Sequence, residues 1–429
     1  MCEGEMGARA SQTIRNKGAL KAKGRATRAA ILDTAHEVFK TNGFYGSSIS
    51  EIARQCGYSK GTFYQYFKNK DQIFQELNDL IITRFLDKVE SVSLEGSRFE
   101  TRLKTVLQIL YSHCKENLAF HTILGESELL DSVTIAYYEA MARYYRHFFR
   151  QEAQAGHIRT IDPGIIAYSL IGICYFHSFD WKSDHEDFEP SQLIDLIIDF
   201  VMNGINGPAP WENENEKDLL KMPEPLAVEE SEHEPMTKGE KTRQAIFDAA
   251  EDVIGQYGIN RANIFEITRK AGVAQGTFYV HFESKHELID GFVKYFNHAM
   301  RMEVQRFVAK TTDRRDAERI GILKFLEFTG KHRKIYRIVP ECEIISRDVS
   351  LWYYNKIAHG YIKGIQQGIE NKEIRDLPPV FLARTLMGLT HFVALKWVIW
   401  NPGSRGVVSN QIQSDIIRFL IFGLKPPSK

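Results

Sequence analysis

Ile31, Ala35, Val38 and Phe39 fall at i, i+4, i+7 and i+8, one face of a helix, and the same spacing returns at Ile246, Ala250, Val253 and Ile254. Gly43 and Gly258 end these helices, because glycine takes the left-handed backbone that a C-terminal turn needs. Ser48-Ile49-Ser50-Glu51 and Asn263-Ile264-Phe265-Glu266 carry reciprocal capping signals that open a second helix. Gly57 and Gly272 close it and turn the chain into a third, Ser59 to Phe67 and Ala274 to Phe282. Asn69 with Gln72, and Ser284 with Glu287, cap a longer fourth helix. Three helices with a tight glycine turn between the second and third predict a helix-turn-helix, present twice. From Thr27 to Phe74 and from Thr242 to Ile289 the match is gapless, with about 19 of 48 paired positions identical. That spacing is too long for a solenoid, so the repeat is a duplicated domain or a duplicated protein.

A chain of 429 residues leaves room for two to four domains, and 43% hydrophobic with 26% charged residues is ordinary for a globular protein. Net charge is zero, but locally the signs separate. Arg9, Arg15, Lys17, Lys21, Lys23, Arg25 and Arg28 make a basic N-terminal arm, either a polyanion contact or a solvated start. Ten acidic residues between Gly207 and Glu240, broken by Pro208, Pro210, Pro223, Pro225 and Pro235, predict an exposed linker that buries too little apolar surface to order itself. Five scattered cysteines without a C-x-x-C spacing exclude a disulfide framework and read as reduced thiols. No uninterrupted apolar run of membrane-spanning length and no signal-peptide pattern stand out, which predicts a cytoplasmic protein without a membrane partner.

A glycine-turned helix pair serves plain packing in many helical proteins, so the residue types on the third helix carry the argument. With Phe63 and Phe67 turned inward, Lys60, Thr62, Tyr64, Gln65 and Tyr66 lie around the exposed arc, with Lys68 and Lys70 beyond. Hydroxyl, amide, phenol and ammonium groups near a helix start suit phosphates and base edges.

The string Ser48 to Lys70, with Gly61-Thr62-Phe63-Tyr64 at its centre, resembles the DNA-binding motif of the TetR/AcrR family of bacterial transcriptional regulators, and Glu266 to Lys285 resembles it about as well. The resemblance implies an all-α fold of two tandem copies, each a three-helix helix-turn-helix domain followed by a helical ligand-binding and dimerisation domain. The boundaries are a basic arm 1–26, a first DNA-binding domain 27–73, a first ligand domain 74–207, an acidic linker 208–240, a second DNA-binding domain 241–288 and a second ligand domain 289–429. Amphipathic runs 75–89, 99–115, 132–155, 163–181 and 192–205 fit the first ligand domain, and Tyr137-Tyr138 with Tyr353-Tyr354, Ile158-Arg159 with Ile374-Arg375, Gly172 with Gly388 and Trp181 with Trp397 extend the repeat into it.

Carried over by position, the implied contacts to double-stranded operator DNA are Ser48, Ser59, Lys60, Gly61, Thr62, Tyr64, Gln65, Tyr66 and Lys70, then Asn263, Gln275, Gly276, Thr277, Tyr279, His281 and Lys285. Gly61 would let the backbone approach the groove, Lys60 would reach a guanine edge or phosphate, and Tyr64 and Lys70 would hold phosphates. The second head is less basic: Ala274 and Gln275 stand for Ser59 and Lys60, Val280 for Gln65 and Glu283 for Lys68. It is expected to bind more weakly or to prefer another half-site.

Family members pair two heads by forming a two-fold dimer, which one duplicated chain can do internally by packing 163–181 and 192–205 on 379–400 and 411–424. A homodimer of tandem chains is the alternative arrangement. Candidate contacts for a small hydrophobic effector are Tyr111, His113, Phe120, Tyr145, Phe148 and Tyr175, and Phe325, Phe328, Tyr336, Tyr361 and Phe392, each read more readily as core than as a ligand contact. No metal-ligand spacing, cofactor motif or catalytic string stands out, so neither metal, cofactor nor enzymatic activity is expected. Two readings follow: a ligand-responsive regulator of the repressor type, or a helical sensor or scaffold in which one or both DNA-binding heads have lost their function.

Overall fold

The computed structural model describes residues 3–426 apart from 95, 125–130, 180, 182–187, 214–217, 227–236, 337, 402 and 404–405. Every regular element among them is a helix, and the one bridge of strand type, Asn206 to Ile374, is isolated. The chain divides into two compact units, 1–84 and 85–429.

The first unit contains α1 (Glu3–Gly46), α2 (Ile49–Gln55), α3 (Lys60–Tyr64) and the first part of α4 (Lys70–Glu90). The segment read as a basic arm is, from Glu3, the start of α1, as its Ala, Lys and Arg content favours. Gly43, at φ 71°, breaks the helix where the sequence puts the stop. Ile31, Ala35, Val38 and Phe39 are buried against Ile52, Phe63, Phe67 and Phe74, with the Phe39 and Phe74 rings 6.0 Å apart.

The second unit holds the first ligand domain from residue 85 on, the second head and the second ligand domain. Its first part is α5 (Phe99–Glu116), α6 (Leu118–Leu124), α7 (Asp131–Gln154), α8 (Pro163–Ser178) and α9 (Pro190–Asn203). The second head follows as α10 (Lys238–Arg261), α11 (Ile264–Ala271) and α12 (Gln275–His281). The remainder is α13 (Lys285–Val308), α14 (Arg314–Lys331), α15 (Arg333–Tyr336), α16 (Ile338–Ile345), α17 (Arg347–Glu370), α18 (Pro379–Ala394) and α19 (Asn410–Phe422). Short α6, α15 and α16 escape the periodicity, since one or two turns are too short to show it.

The two ligand domains meet through α8 and α18. A Cβ on Gly172 would lie 2.1 Å from the Gly388 carbonyl oxygen, and one on Gly388 2.3 Å from that of Gly172, so the helices cross backbone on backbone. At the far end the contacts are again reciprocal: Ile205 N donates to Leu420 O at 3.1 Å and Leu424 N to Val201 O at 2.8 Å, Asn206 N to Ile421 O at 2.9 Å and Lys425 N to Met202 O at 2.8 Å. Arg159 N to Leu424 O and Arg375 N to Ile205 O, at 2.8 and 3.0 Å, complete the set. Residue i meeting j while j's counterpart meets i's is the signature of a two-fold contact. Because α8 lies between α5, α7 and α18, every residue from Gly164 to His177 is buried. Pro379–Ile399, which is α18 with the π-helical turn after it, is long and on average apolar enough to cross a membrane, although Arg384 and Lys396 interrupt the run. Its side chains are largely buried inside the protein, where His177 and Thr385 hydrogen-bond at 3.0 Å between the two domains.

The expectation of an unordered linker is corrected for the described parts of 208–240. Trp211 and Leu219 are buried. The reason lies on α14: the Arg315 guanidinium donates to Ala209 O at 2.8 Å and Pro210 O at 3.0 Å and lies 5.3 Å from the Trp211 ring, while Arg319 donates to Leu219 O at 3.2 Å. Composition rightly denies the linker a core of its own, but the neighbouring domain supplies one.

Glu343 of α16 is buried across the junction, accepting from Tyr175 Oη at 2.9 Å and Tyr354 Oη at 2.7 Å. Burial pushes its carboxyl up to about 7, against the opposing pull of both phenols. The folded state therefore holds a proton more firmly than the unfolded one, so stability is lost as pH rises from about 4.5 to 7 and is level above. Glu343→Gln is expected to flatten that window and to raise stability at pH 8 by on the order of 2 kcal/mol. Urea unfolding of both proteins at pH 5 and pH 8 measures it, and equal pH slopes would reject this titration.

Candidate nucleic-acid interface

In the first head, α3 is set by its own cap: Ser59 Oγ accepts from Thr62 N at 3.1 Å, and Ser48 does the same for α2 through Glu51 N at 3.2 Å. Phe63 and Phe67 are buried as their spacing requires, which leaves Lys60, Gly61, Tyr64, Gln65 and Lys68 exposed on one arc. Thr62 is half-buried beside Ser59, with the two hydroxyls 3.0 Å apart. Tyr64, 56% exposed, packs only its edge on Phe63. The second head repeats this arrangement with Phe278 and Phe282 buried, Gln275, Gly276 and Tyr279 exposed and Thr277 half-buried. Asn263 caps α11 through Glu266 N at 2.8 Å, whereas Ala274 gives α12 no side-chain cap.

Gly61 and Gly276 gain meaning here. A Cβ at Gly276 would meet nothing within 4 Å and one at Gly61 only Ser59 Oγ at 3.6 Å. Nothing within the fold requires glycine there, although glycine costs a helix about 1 kcal/mol relative to alanine. The same unexplained glycine at the start of both exposed helices leaves the backbone open to a close partner.

Three assignments are revised by geometry. Lys70 points its ammonium inward, onto the carbonyls of Phe44 and Ser47 and 4.3 Å from the Phe44 ring centre. Lys285 does the same with Ile259 O at 2.9 Å and Ala262 O at 3.0 Å, and burial lowers its pKa. This lysine staples the fourth helix to the end of the first, a task that accounts for its presence in both copies. Tyr66 and His281 are half-buried and turn toward Gly24 and Gly239 on the first helix of each head, at 3.8 and 3.9 Å from a Cβ there. Arg28, counted with the basic arm, stacks 4.7 Å from the Phe67 ring and pairs with Glu76, as Arg243 stacks on Phe282 at the same distance.

The second arc differs in character. Phe265 is 59% and Val280 79% exposed where the first copy has Ser50 and Gln65, and Glu283 replaces Lys68. Lys270 is drawn aside by Asp252 at 2.8 Å.

The candidate effector residues divide between the copies. In the first, Tyr111, His113, Phe120, Phe148 and Tyr175 are all buried core, as is Tyr145, whose hydroxyl donates to Val106 O at 2.9 Å. His113 bonds Tyr137 Oη at 2.7 Å and His121 bonds Tyr138 Oη at 3.0 Å, with burial holding His113 neutral at a pKa of about 4. In the second, a cavity of about 360 Å³ opens between α13, α14, α15, α17 and α18, with Phe176 of α8 in its wall. Tyr336, Phe325 and Tyr361 line it, while Phe328 and Phe392 are buried outside its wall. The sequence missed Met300, Arg314, Gly321 and Gly360 in that wall, because it looked for aromatic side chains rather than for their absence. Groups of three or more metal-ligating side chains are lacking among the described residues.

The family description "Bacterial regulatory proteins, tetR family" matches residues 31–77 and 246–291, the two heads. An uncharacterized HTH-type transcriptional regulator, YhgD of Bacillus subtilis, is 20% identical over 181 residues, 41% of this chain and 95% of its own length. The fatty acid metabolism regulator protein of the same species is 25% identical over 186 residues, 41% of this chain and 94% of its own. Among solved structures, the fatty acid degradation regulator FadR from Bacillus halodurans is 19% identical, with 43% of this chain and 97% of that one covered at a TM-score of 0.39. Nearly the whole of each relative thus corresponds to less than half of this chain.

Proposed function

We propose a function for this chain from the premise that it belongs to the TetR family of DNA-binding transcriptional regulators, with two tandem copies in one polypeptide: it is a repressor that sets both heads on one operator as an intramolecular pseudo-dimer and leaves it when a small hydrophobic effector binds. The observation that carries the DNA-binding part is the pair of exposed arcs built alike, Gly61 with Tyr64 and Gly276 with Tyr279, each glycine without a reason inside the fold. The reciprocal backbone contacts between the two ligand domains support the pseudo-dimer. A relative named for fatty acid metabolism supports an apolar effector. Effector binding acts by favouring one arrangement of the heads over the one that fits the operator. Because the second arc lacks a lysine at 275 and carries Glu283, an asymmetric site suits the chain better than a palindrome.

The test is binding to a duplex from the upstream region of its own gene, followed by fluorescence anisotropy at several salt concentrations. Lys60→Ala/Tyr64→Ala is expected to weaken binding at least ten-fold and to reduce the log–log salt slope by about 1 to 2. The same pair of changes at Gln275 and Tyr279 is expected to cost less and barely move the slope. Undiminished binding by the first variant would sink the assignment, and a light-scattering mass of two chains per duplex would replace the pseudo-dimer with a dimer of tandem chains.

A further inference from the structure

The two ligand domains share a fold but not an interior. α7 and α17 are each 24 residues long and pair Asp131 with Arg347, so Tyr144 and Phe148 correspond to Gly360 and Gly364. α5 and α14 are each 18 residues long and pair Phe99 with Arg314, Leu103 with Glu318 and Val106 with Gly321. In the first domain Leu110, Met141 and Tyr145 have no exposure and Val106 has 1%. Their counterparts Phe325, Ile357, Tyr361 and Gly321 are partly open, because they face the cavity. A Cβ on Gly360 would meet nothing within 4 Å, and one on Gly321 only Val304 Cγ1 at 3.9 Å. Gly321 and Gly360, in place of an isopropyl group and an aromatic ring, account for the space.

The exchange is also one of polarity. The room left by Gly364 is taken by the Arg314 guanidinium, whose Nη1 would lie 1.9 Å from a Cβ there. Arg314 Nε donates to the buried Glu318 at 2.7 Å. An ion pair inside an otherwise apolar wall contributes little to stability. At the rim Arg301 and Lys356 are exposed and have no ion-pair partner among the described residues. Met300, Phe325, Ile357, Met387 and Phe176 make the apolar body. At the ~30 Å³ that a water takes in the liquid, the cavity holds about a dozen groups of that size.

We infer that only the second ligand domain receives an effector, one per chain, and that this is a slender apolar chain ending in an anion, while the first domain is a core sealed by its own side chains. The inference rests on the effector-responsive reading above and supplies its stoichiometry and ligand class. The apolar chain, roughly ten to twelve carbons by volume, lies against Met300, Ile357 and Met387. Its anionic end is met by Arg301 and Lys356, two cations without an ion-pair partner among the described residues.

The experiment is isothermal titration of the full chain, without DNA, with dodecanoate, dodecyl phosphate and dodecanol below their aggregation limits. One dodecanoate or dodecyl phosphate per chain is expected, the better of the two identifying the head as carboxylate or phosphate, with dodecanol at least ten-fold weaker. Gly321→Val/Gly360→Leu is expected to weaken binding at least thirty-fold with an unchanged or higher melting temperature. Arg301→Gln/Lys356→Gln is expected to weaken the anions about ten-fold and to leave dodecanol unaffected. Two sites per chain, dodecanol equal to the anions, no binding of either anion at 1 mM, or full affinity in the filled variant would each overturn the inference. The stoichiometry is read on the parent protein, so it stands even where a variant fails to fold. Loss of operator binding leaves every one of these readings untouched, which separates this inference from the DNA-binding proposal.

Discussion

Gly172→Leu is expected to destabilise the second unit by more than about 4 kcal/mol and to lower its melting temperature by roughly 10 °C. A Cβ alone at this position falls 2.1 Å from a carbonyl oxygen and 2.9 Å from Phe392 Cδ2, so α8 and α18 must separate along their length. The helices bury residues from end to end, and a separation of even 1 Å leaves a gap too small for water along the whole contact. Gly388→Leu should cost the same, because its approach to Gly172 is the mirror of the first. Differential scanning calorimetry measures both, and an unchanged midpoint in either would mean that the backbones do not meet there.

Arg315→Ala is expected to cost about 3–5 kcal/mol and to free the linker. This side chain is 1% exposed, pairs with Asp313 at 2.6 Å and supplies donors to the carbonyls of Ala209 and Pro210 and to Asn206 Oδ1. Its removal leaves those acceptors buried without partners and takes away the cation against Trp211. Limited trypsin digestion gives a local readout: cleavage after Lys221 should quicken at least ten-fold while far-ultraviolet circular dichroism stays the same. A variant as resistant as the parent would show that Trp211 and Leu219 hold the linker without the guanidinium.

These two sites differ in how far they can be read from residues. Gly172 and Gly388 pair in the repeat, and an alignment of copies marks both, although it does not say that they touch. Arg315 carries no such mark. Its counterpart in the first copy is Glu100, and the proline-broken acidic stretch it holds predicts exposure by composition. What reverses the expectation is a partner more than a hundred residues away, and composition has no term for it.

The reading helices were legible for the opposite reason. Phe63 and Phe67 lie one turn apart, Ser59 caps the helix three residues before Thr62, and Gly57 turns the chain with φ at 73°, all relations within about ten residues. Lys70 shows the limit of the method, because an identical lysine in both copies fits a phosphate contact and a structural staple equally well. Only the carbonyls of Phe44 and Ser47 beside it decide for the staple.

The sequence by itself determined the longer helices, the duplication and the arcs that face outward, since helical periodicity, capping and glycine stops act between near neighbours in the chain. Tertiary structure alone decided that the ligand domains meet at Gly172 and Gly388, that the described parts of the linker are packed, and that a cavity lies in the second copy where the first has buried side chains. A cavity is the absence of side chains at positions brought together from as far apart as Phe176 and His391. It depends on the sum of volumes across six helices, which no local pattern along the chain contains.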